Sequence, residues 1–162
     1  MCSILKTLVY LLPLLILACQ APGLKQESNQ FINPTGTYIF NKKVDRSNIV
    51  TKEYFGDAQV LLLDSNRVIV NFYVNKGAPS FNSGTFYDTL TYTNHTARYI
   101  FEADSSCQVV LNFDVEGAQI TQEAEDINYG CGFGQGVVVN AYYHKTTTDK
   151  PIFIDYLSGE LY

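Results

Sequence analysis

Apolar and polar residues alternate with a period of two over much of this chain, the pattern of strands that bury one face. In the run Arg67–Asn75, Val68, Val70, Phe72 and Val74 share a face, while Arg67, Asn71 and Asn75 lie opposite. In residues 107–116, Cys107, Val109, Leu111, Phe113 and Val115 face one way, and Gln108, Asn112, Asp114 and Glu116 the other. The same parity turns Ala97, Tyr99 and Phe101 inward against Arg98 and Glu102. It also turns Val137, Val139, Ala141 and Tyr143 inward against Asn140 and His144. Tyr38 with Phe40, and Ala58 with Val60 and Leu62, mark two further strands. A helical period is confined to a short turn near residues 122–127.

Turn-forming residues separate these runs: Asp64-Ser65-Asn66, Asn75-Lys76-Gly77, Thr93-Asn94-His95, Asp104-Ser105-Ser106, Glu116-Gly117 and Asn128-Tyr129-Gly130. Most are about 11 residues apart, the spacing of an antiparallel meander. The chain has 12 tyrosines, 10 phenylalanines and no tryptophan, a composition that favours strands. The prediction is an all-β fold: one small antiparallel domain of about eight strands, closed as a barrel or flattened into a sandwich.

The N-terminus reads differently. Residues 7–18 are mostly apolar behind a single Lys6. That run suits a signal-peptide core and is too short to span a bilayer as a helix. It ends Leu15, Ile16, Leu17, Ala18, Cys19, which resembles the lipobox of bacterial lipoproteins. The resemblance implies that a dedicated peptidase cuts before Cys19, whose thiol and new amino group then carry acyl chains. Ordinary signal-peptidase cleavage is the rival, but a small-x-small site ending at Ala21 leaves Pro22 just after the cut. The expected organisation is a signal peptide at 1–18, a lipidated tether at 19–33 and a β-domain at 34–162. About 14 flexible tether residues span roughly 20 Å. Two or more acyl chains anchor stably where one does not. Gln20 stands where an aspartate resembles the inner-membrane retention signal of enteric lipoproteins, so outer-membrane sorting is favoured.

Cysteine usage agrees with this address. Of the four cysteines, Cys2 leaves with the signal and Cys19 is acylated, so Cys107 and Cys131 remain in an oxidising compartment. One disulfide is the simplest outcome, with a stabilisation on the order of 3 kcal/mol. A metal site is the competing use, but two cysteines with only His95 and His144 give no recognisable zinc spacing, and neither metal nor cofactor is expected. Without Lys6 the chain carries 10 basic and 16 acidic residues, a net charge of −6. No basic patch is present for nucleic acid.

Candidate chemistry is sparse. Residues 130–136, Gly-Cys-Gly-Phe-Gly-Gln-Gly, could cradle an anion on successive backbone N–H groups. They lack the Lys-Ser/Thr ending of a P-loop and lead into a strand, so a tight, bulged approach to that strand is the plainer expectation. Strict alternation puts Asp88 on the face of Phe86, Leu90 and Tyr92, where a carboxylate would mark a ligand pocket at a barrel mouth. A bulge that turns Asp88 outward is the expected resolution. The acidic cluster of Glu123, Glu125 and Asp126 lacks calcium-loop spacing. Neither histidine has a Ser or Cys partner spaced for a triad. No catalytic residue is assigned, and the expectation is a non-enzymatic binding protein.

Three resemblances bear on what it binds. The order of Ser106-Cys107-Gln108-Val109-Val110-Leu111-Asn112-Phe113, then Cys131-Gly132-Phe133-Gly134, then Ala141-Tyr142-Tyr143-His144-Lys145 is similar to a family of small bacterial envelope proteins of unassigned function. With Gly77-Ala78-Pro79-Ser80-Phe81-Asn82-Ser83-Gly84 upstream, the likeness covers about the last half of the chain and implies no activity. Ser83-Gly84-Thr85-Phe86-Tyr87 and Ser158-Gly159-Glu160-Leu161-Tyr162 fit the Ser-Gly-x-x-Tyr motif of membrane-bound and periplasmic lysozyme inhibitors. That likeness implies a loop, such as residues 80–87, which plugs a lysozyme cleft through Ser83, Gly84 and Tyr87. The family's partner motif, a Tyr followed by Thr-Lys-Gly, is absent. Gly36-Thr37-Tyr38 echoes the Gly-x-Trp that opens lipocalins, implying a carrier of a small apolar ligand inside the barrel.

Overall fold

A computed structural model describes residues 30–41, 53–127, 130–153, 159 and 161. The chain divides into two units, Met1–Gln30 and Phe31–Tyr162, and the second is the subject here. Residues 19–29 of the tether, Cys19 among them, lie outside the described residues, as do Ser158, Glu160 and Tyr162 of the second Ser-Gly-x-x-Tyr run.

Eight antiparallel strands form a closed barrel in sequence order. They are β1 (Gly36–Phe40), β2 (Phe55–Leu62), β3 (Arg67–Asn75), β4 (Ser83–Thr93), β5 (Thr96–Ile100), β6 (Gln108–Phe113), β7 (Gly117–Glu123) and β8 (Ala141–Thr147). Each strand pairs with its neighbour, and β8 returns to β1 through Thr37↔Thr147 and Ile39↔His144. Of the two architectures expected, the barrel is the one formed. Closure removes free sheet edges.

Inward parity holds along the long strands. Val68, Val70, Phe72 and Val74 are fully buried, as are Val109, Leu111, Ala118, Ile120 and Tyr143. An eight-stranded barrel is just wide enough for side chains to fill it. Rings cross this interior: Phe72 lies 5.1 Å from Phe86 and 5.9 Å from Tyr143, and Tyr38 lies 5.4 Å from Phe113. The unit from Phe31 onward therefore builds its own core and closes its own sheet, conditions for folding by itself.

Several expectations are corrected. Val115 is 79% exposed, because β6 stops at Phe113. Asp114 then accepts the N–H groups of Glu116 and Gly117 and starts a turn. Asn75, expected outside, is buried. Its side chain accepts the Gly77 N–H and donates to the Phe81 carbonyl, which organises the β3–β4 connection. Asn71 is also buried, between Gln59 and Tyr87 in register. Val137 and Val139 do point inward, but they belong to an extended approach, since β8 begins only at Ala141. The turn near 122–127 starts late, because Gln122 and Glu123 still belong to β7.

Candidate functional site

The two ends of the barrel are built from different parts of the chain. One end carries the short turns β2–β3, β4–β5 and β6–β7, together with the segment that leads into β1. There Tyr38 donates to the Pro34 carbonyl at 2.6 Å and Tyr92 to the Ile32 carbonyl at 2.7 Å. The Phe31 ring meets the Tyr92 ring edge-on at 6.2 Å. Residues 31–33, expected as the end of the tether, thus pack on the barrel and seal this end. Lys145 adds a bond from its Nζ to the Asn33 carbonyl, and partial burial lowers its pKa. Burial pushes the Tyr92 hydroxyl up to about 12.

The opposite end is capped by the described residues of the connection from β7 to β8, 124–127 and 130–140. The Cys107–Cys131 disulfide ties this cap to the start of β6. Phe133 inserts over β4, against Gly84 and within 6.3 Å of the Phe72 ring, and any side chain at Gly84 would overlap it. Cys131 and Gly132 take φ of 61° and 69°, the left-handed region, which bends the chain over the barrel mouth. The glycine-rich run is this bent approach. Within it the Phe133 N–H donates to the Gly130 carbonyl and the Gly134 N–H to the Ser83 carbonyl, and just past its end Val137 donates to Gly134, so these backbone groups hold the bend.

The residues expected to act as an inhibitor loop lie in a strand instead. Ser83, Gly84 and Tyr87 all sit in β4, paired with Asn75, Val74 and Asn71 of β3. Gly84 is buried beneath Phe133, and the Ser83 carbonyl accepts from Gly134. Tyr87 is 39% exposed, with the Phe153 ring 5.5 Å away. Only residues 80–82 of the expected 80–87 loop are loop.

Asp88 is exposed, but no bulge turns it out. The β3–β4 register runs unbroken from Asn75↔Ser83 through Val70↔Asp88 to Arg67↔Thr91. Asp88 keeps its inward parity and meets solvent because β4 pairs with β5 at only two positions, Tyr92↔Ala97 and Thr93↔Thr96. Beyond them the strands part, with Phe86 stacked flat on Tyr99 at 4.1 Å in the seam. Burial raises the Tyr99 pKa, and the Asp88 and Glu102 carboxylates raise it further. The Asp88 carboxylate accepts the Thr89 N–H. An inward-pointing charge on a partly unpaired strand is a known guard against pairing with another chain.

A pocket of about 290 Å³ opens at the capped end, between the mouth of β1–β3 and the approach to β8. Phe40, Tyr54, Val74, Val138, Val139, Asn140, Ala141 and Tyr143 line it. Tyr54 fixes one wall by donating its hydroxyl to the Gly136 carbonyl. Tyr143 is 0% exposed and its hydroxyl has no hydrogen-bond partner. Burial, reinforced by the Asp57 carboxylate, pushes that hydroxyl far above the usual tyrosine range. A second group at this end behaves alike: Gln122 points into the barrel beside Cys107 and Gly130, with neither amide atom partnered. The alternation identified Tyr143 as inward, but nothing in the sequence signals that its hydroxyl lacks a partner.

Among the described residues, no three of His, Cys, Asp and Glu gather at metal-binding distance. No protein-family model, curated protein or solved structure matches this chain.

Proposed function

We propose that this protein is a non-enzymatic, lipid-anchored lipoprotein of a bacterial cell envelope, held by acyl chains on Cys19, with its barrel acting as a binding module through its capped end. The anchor rests on the sequence around Cys19, and outer-membrane sorting on Gln20. The observation that carries the binding reading is the asymmetry of the barrel. At the sealed end both buried tyrosine hydroxyls are satisfied within the chain, whereas Tyr143 at the capped end is buried without a partner beside a pocket. Buried polar groups are nearly always hydrogen-bonded, so such an exception calls for an explanation outside the fold.

Ligand uptake deep inside the barrel, the lipocalin-like alternative, is disfavoured by the rings that meet around Phe72. An inhibitor-like reading keeps one supporting observation, the exposed Tyr87 on an acidic domain, because acidic surfaces steer toward cationic partners such as lysozyme.

Two experiments test these readings. Mass spectrometry of the full chain from a bacterial envelope should show a diacyl or triacyl mass that Cys19→Ala abolishes, and an unmodified wild-type mass would overturn the anchor. Native mass spectrometry of a soluble chain beginning at Gln20, exposed to envelope extract, should show an added mass of roughly 100–200 daltons, the size such a pocket holds. Capture of a lysozyme that Tyr87→Ala prevents would move the assignment to the inhibitor.

A further inference from the structure

We propose that the pocket at the capped end binds a small, neutral, mainly apolar molecule that presents a single hydrogen-bond acceptor to the Tyr143 hydroxyl. This rests on the binding reading above and specifies its ligand.

The tyrosine hydroxyls supply the first argument. Tyr38, Tyr54, Tyr92 and Tyr142 donate to Pro34, Gly136, Ile32 and Asp114, and Tyr73 accepts from Asn75. Tyr143, deeper than most of these, has nothing to donate to. A hydroxyl stripped of water with no replacement partner is costly, and removing that cost is what an acceptor on a ligand would do.

Position supplies the second. The Tyr143 hydroxyl lies against Gly56, so near that a methyl group there would come within 3.0 Å of it. Gly56 pairs with Phe40 on one side and Val74 on the other, and both line the pocket. The unpartnered donor therefore lies directly beneath the pocket lining, next to two of its apolar walls. A Cβ at Gly56 would also meet the Tyr73 carbonyl oxygen at 2.5 Å, so the hydroxyl packs against a position that admits no side chain.

Size and charge narrow the ligand. About 290 Å³ is at the small end of ligand cavities. At the roughly 30 Å³ that one water occupies in the liquid, it holds on the order of ten non-hydrogen atoms. Among the described residues the lining contains no Lys, Arg or His, and the nearby Asp57 carboxylate opposes an anion. A ketone, ester or amide on an aromatic or branched aliphatic body fits, and a carboxylate does not.

The test compares three probes of nearly the same shape on the soluble chain beginning at Gln20: acetophenone, α-methylstyrene, which replaces the carbonyl oxygen by a methylene, and benzoate. Binding is followed by amide shifts in ¹H–¹⁵N spectra. Acetophenone should shift Phe40, Val74, Val139 and Ala141 and bind about 5–10-fold more tightly than α-methylstyrene, the worth of one neutral hydrogen bond. Benzoate should bind least. In Tyr143→Phe the two neutral probes should become equivalent, while Ala141→Leu, which fills the pocket, should weaken both. Equal affinities in the wild type, a preference that survives Tyr143→Phe, or shifts mapping elsewhere would each overturn the assignment. If all probes fail yet envelope extract still loads the protein, the pocket assignment falls and the binding reading stands. If acetophenone binds but extract delivers nothing, the reverse holds.

Discussion

The sealed end and the capped end of this barrel solve the same problem differently. Both must cover the rims of eight strands whose inward positions are apolar. At the sealed end the covering segment is the chain just before β1, and it brings backbone carbonyls to Tyr38 and Tyr92. At the capped end the cover comes from the β7–β8 connection, residues 124–127 and 130–140, held by a disulfide and by Phe133, and it leaves the Tyr143 hydroxyl and the Gln122 amide unpartnered. A cover that satisfies every buried donor contributes to stability alone. One that leaves two unsatisfied has given up stability at those sites, and binding sites commonly carry such local conflicts.

That contrast can be broken or sharpened by substitution. The largest effect should come from Phe72→Ala, which removes the ring that joins the β4, β8 and cap aromatics. A loss of about 3–5 kcal/mol is expected in chemical denaturation, with both ends loosened. A loss below about 1 kcal/mol would mean that the interior is not the filled core described above.

Replacing Cys107 and Cys131 together by serine should cost roughly 3 kcal/mol, given their separation of 24 residues. Hydrogen exchange should then accelerate in the cap and leave residues 31–38 unchanged. Equal acceleration at both ends would show that the disulfide does not act on the cap in particular.

Tyrosine-to-phenylalanine changes should differ in sign between the ends. Tyr38→Phe leaves the buried Pro34 carbonyl without its donor and should destabilise by about 1–2 kcal/mol. Tyr143→Phe removes a hydroxyl that bonds nothing and should be neutral or stabilising by up to about 1 kcal/mol. Thermal melting of the two variants decides the matter, and a clear loss in Tyr143→Phe would show that its hydroxyl is satisfied within the fold.

The smallest effect concerns Asp114, in the β6–β7 turn at the sealed end. Partial burial raises its pKa, but the Glu116 N–H, the Tyr142 hydroxyl and the Gly117 N–H outweigh it, so the folded pKa lies below the usual carboxylate value. A depressed folded pKa stabilises the fold fully above the unfolded value of about 4, and that contribution is lost as pH falls through the folded one. Because Asp114 is mostly exposed, the contribution should stay below about 1 kcal/mol. In pH-dependent denaturation, Asp114→Asn should flatten the acid limb, and an unchanged limb would remove Asp114 from it.

Much of the architecture was readable beforehand. The Arg67–Asn75 strand, the inward parity of Phe72, Leu111 and Tyr143, and the pairing of Cys107 with Cys131 all follow from alternation and cysteine count, and all are present. Reading failed where strands end or part. Val115 continues the alternation in sequence, but Asp114 turns the backbone before it. Asp88 keeps its parity, yet the early separation of β4 from β5 exposes it. The Ser83–Tyr87 run, expected as a loop from its likeness to the inhibitor motif, is held in β4 by five of the nine consecutive pairs that β4 makes with β3.

The sequence by itself determined that there are about eight strands, the inward face of the long alternating ones, the disulfide pair and the lipobox-like run at Cys19. These depend on residue parity, composition and spacing along a few neighbouring positions, where the backbone's period of two makes the pattern legible. Only the tertiary structure decided that the sheet closes, that one end is sealed by residues before β1, and which tyrosine hydroxyls find partners. Tyr92 reaches Ile32 across 60 positions and Tyr54 reaches Gly136 across 82. No local pattern encodes such meetings, because a hydroxyl's partner is set by where distant backbone carbonyls come to rest once the barrel has closed.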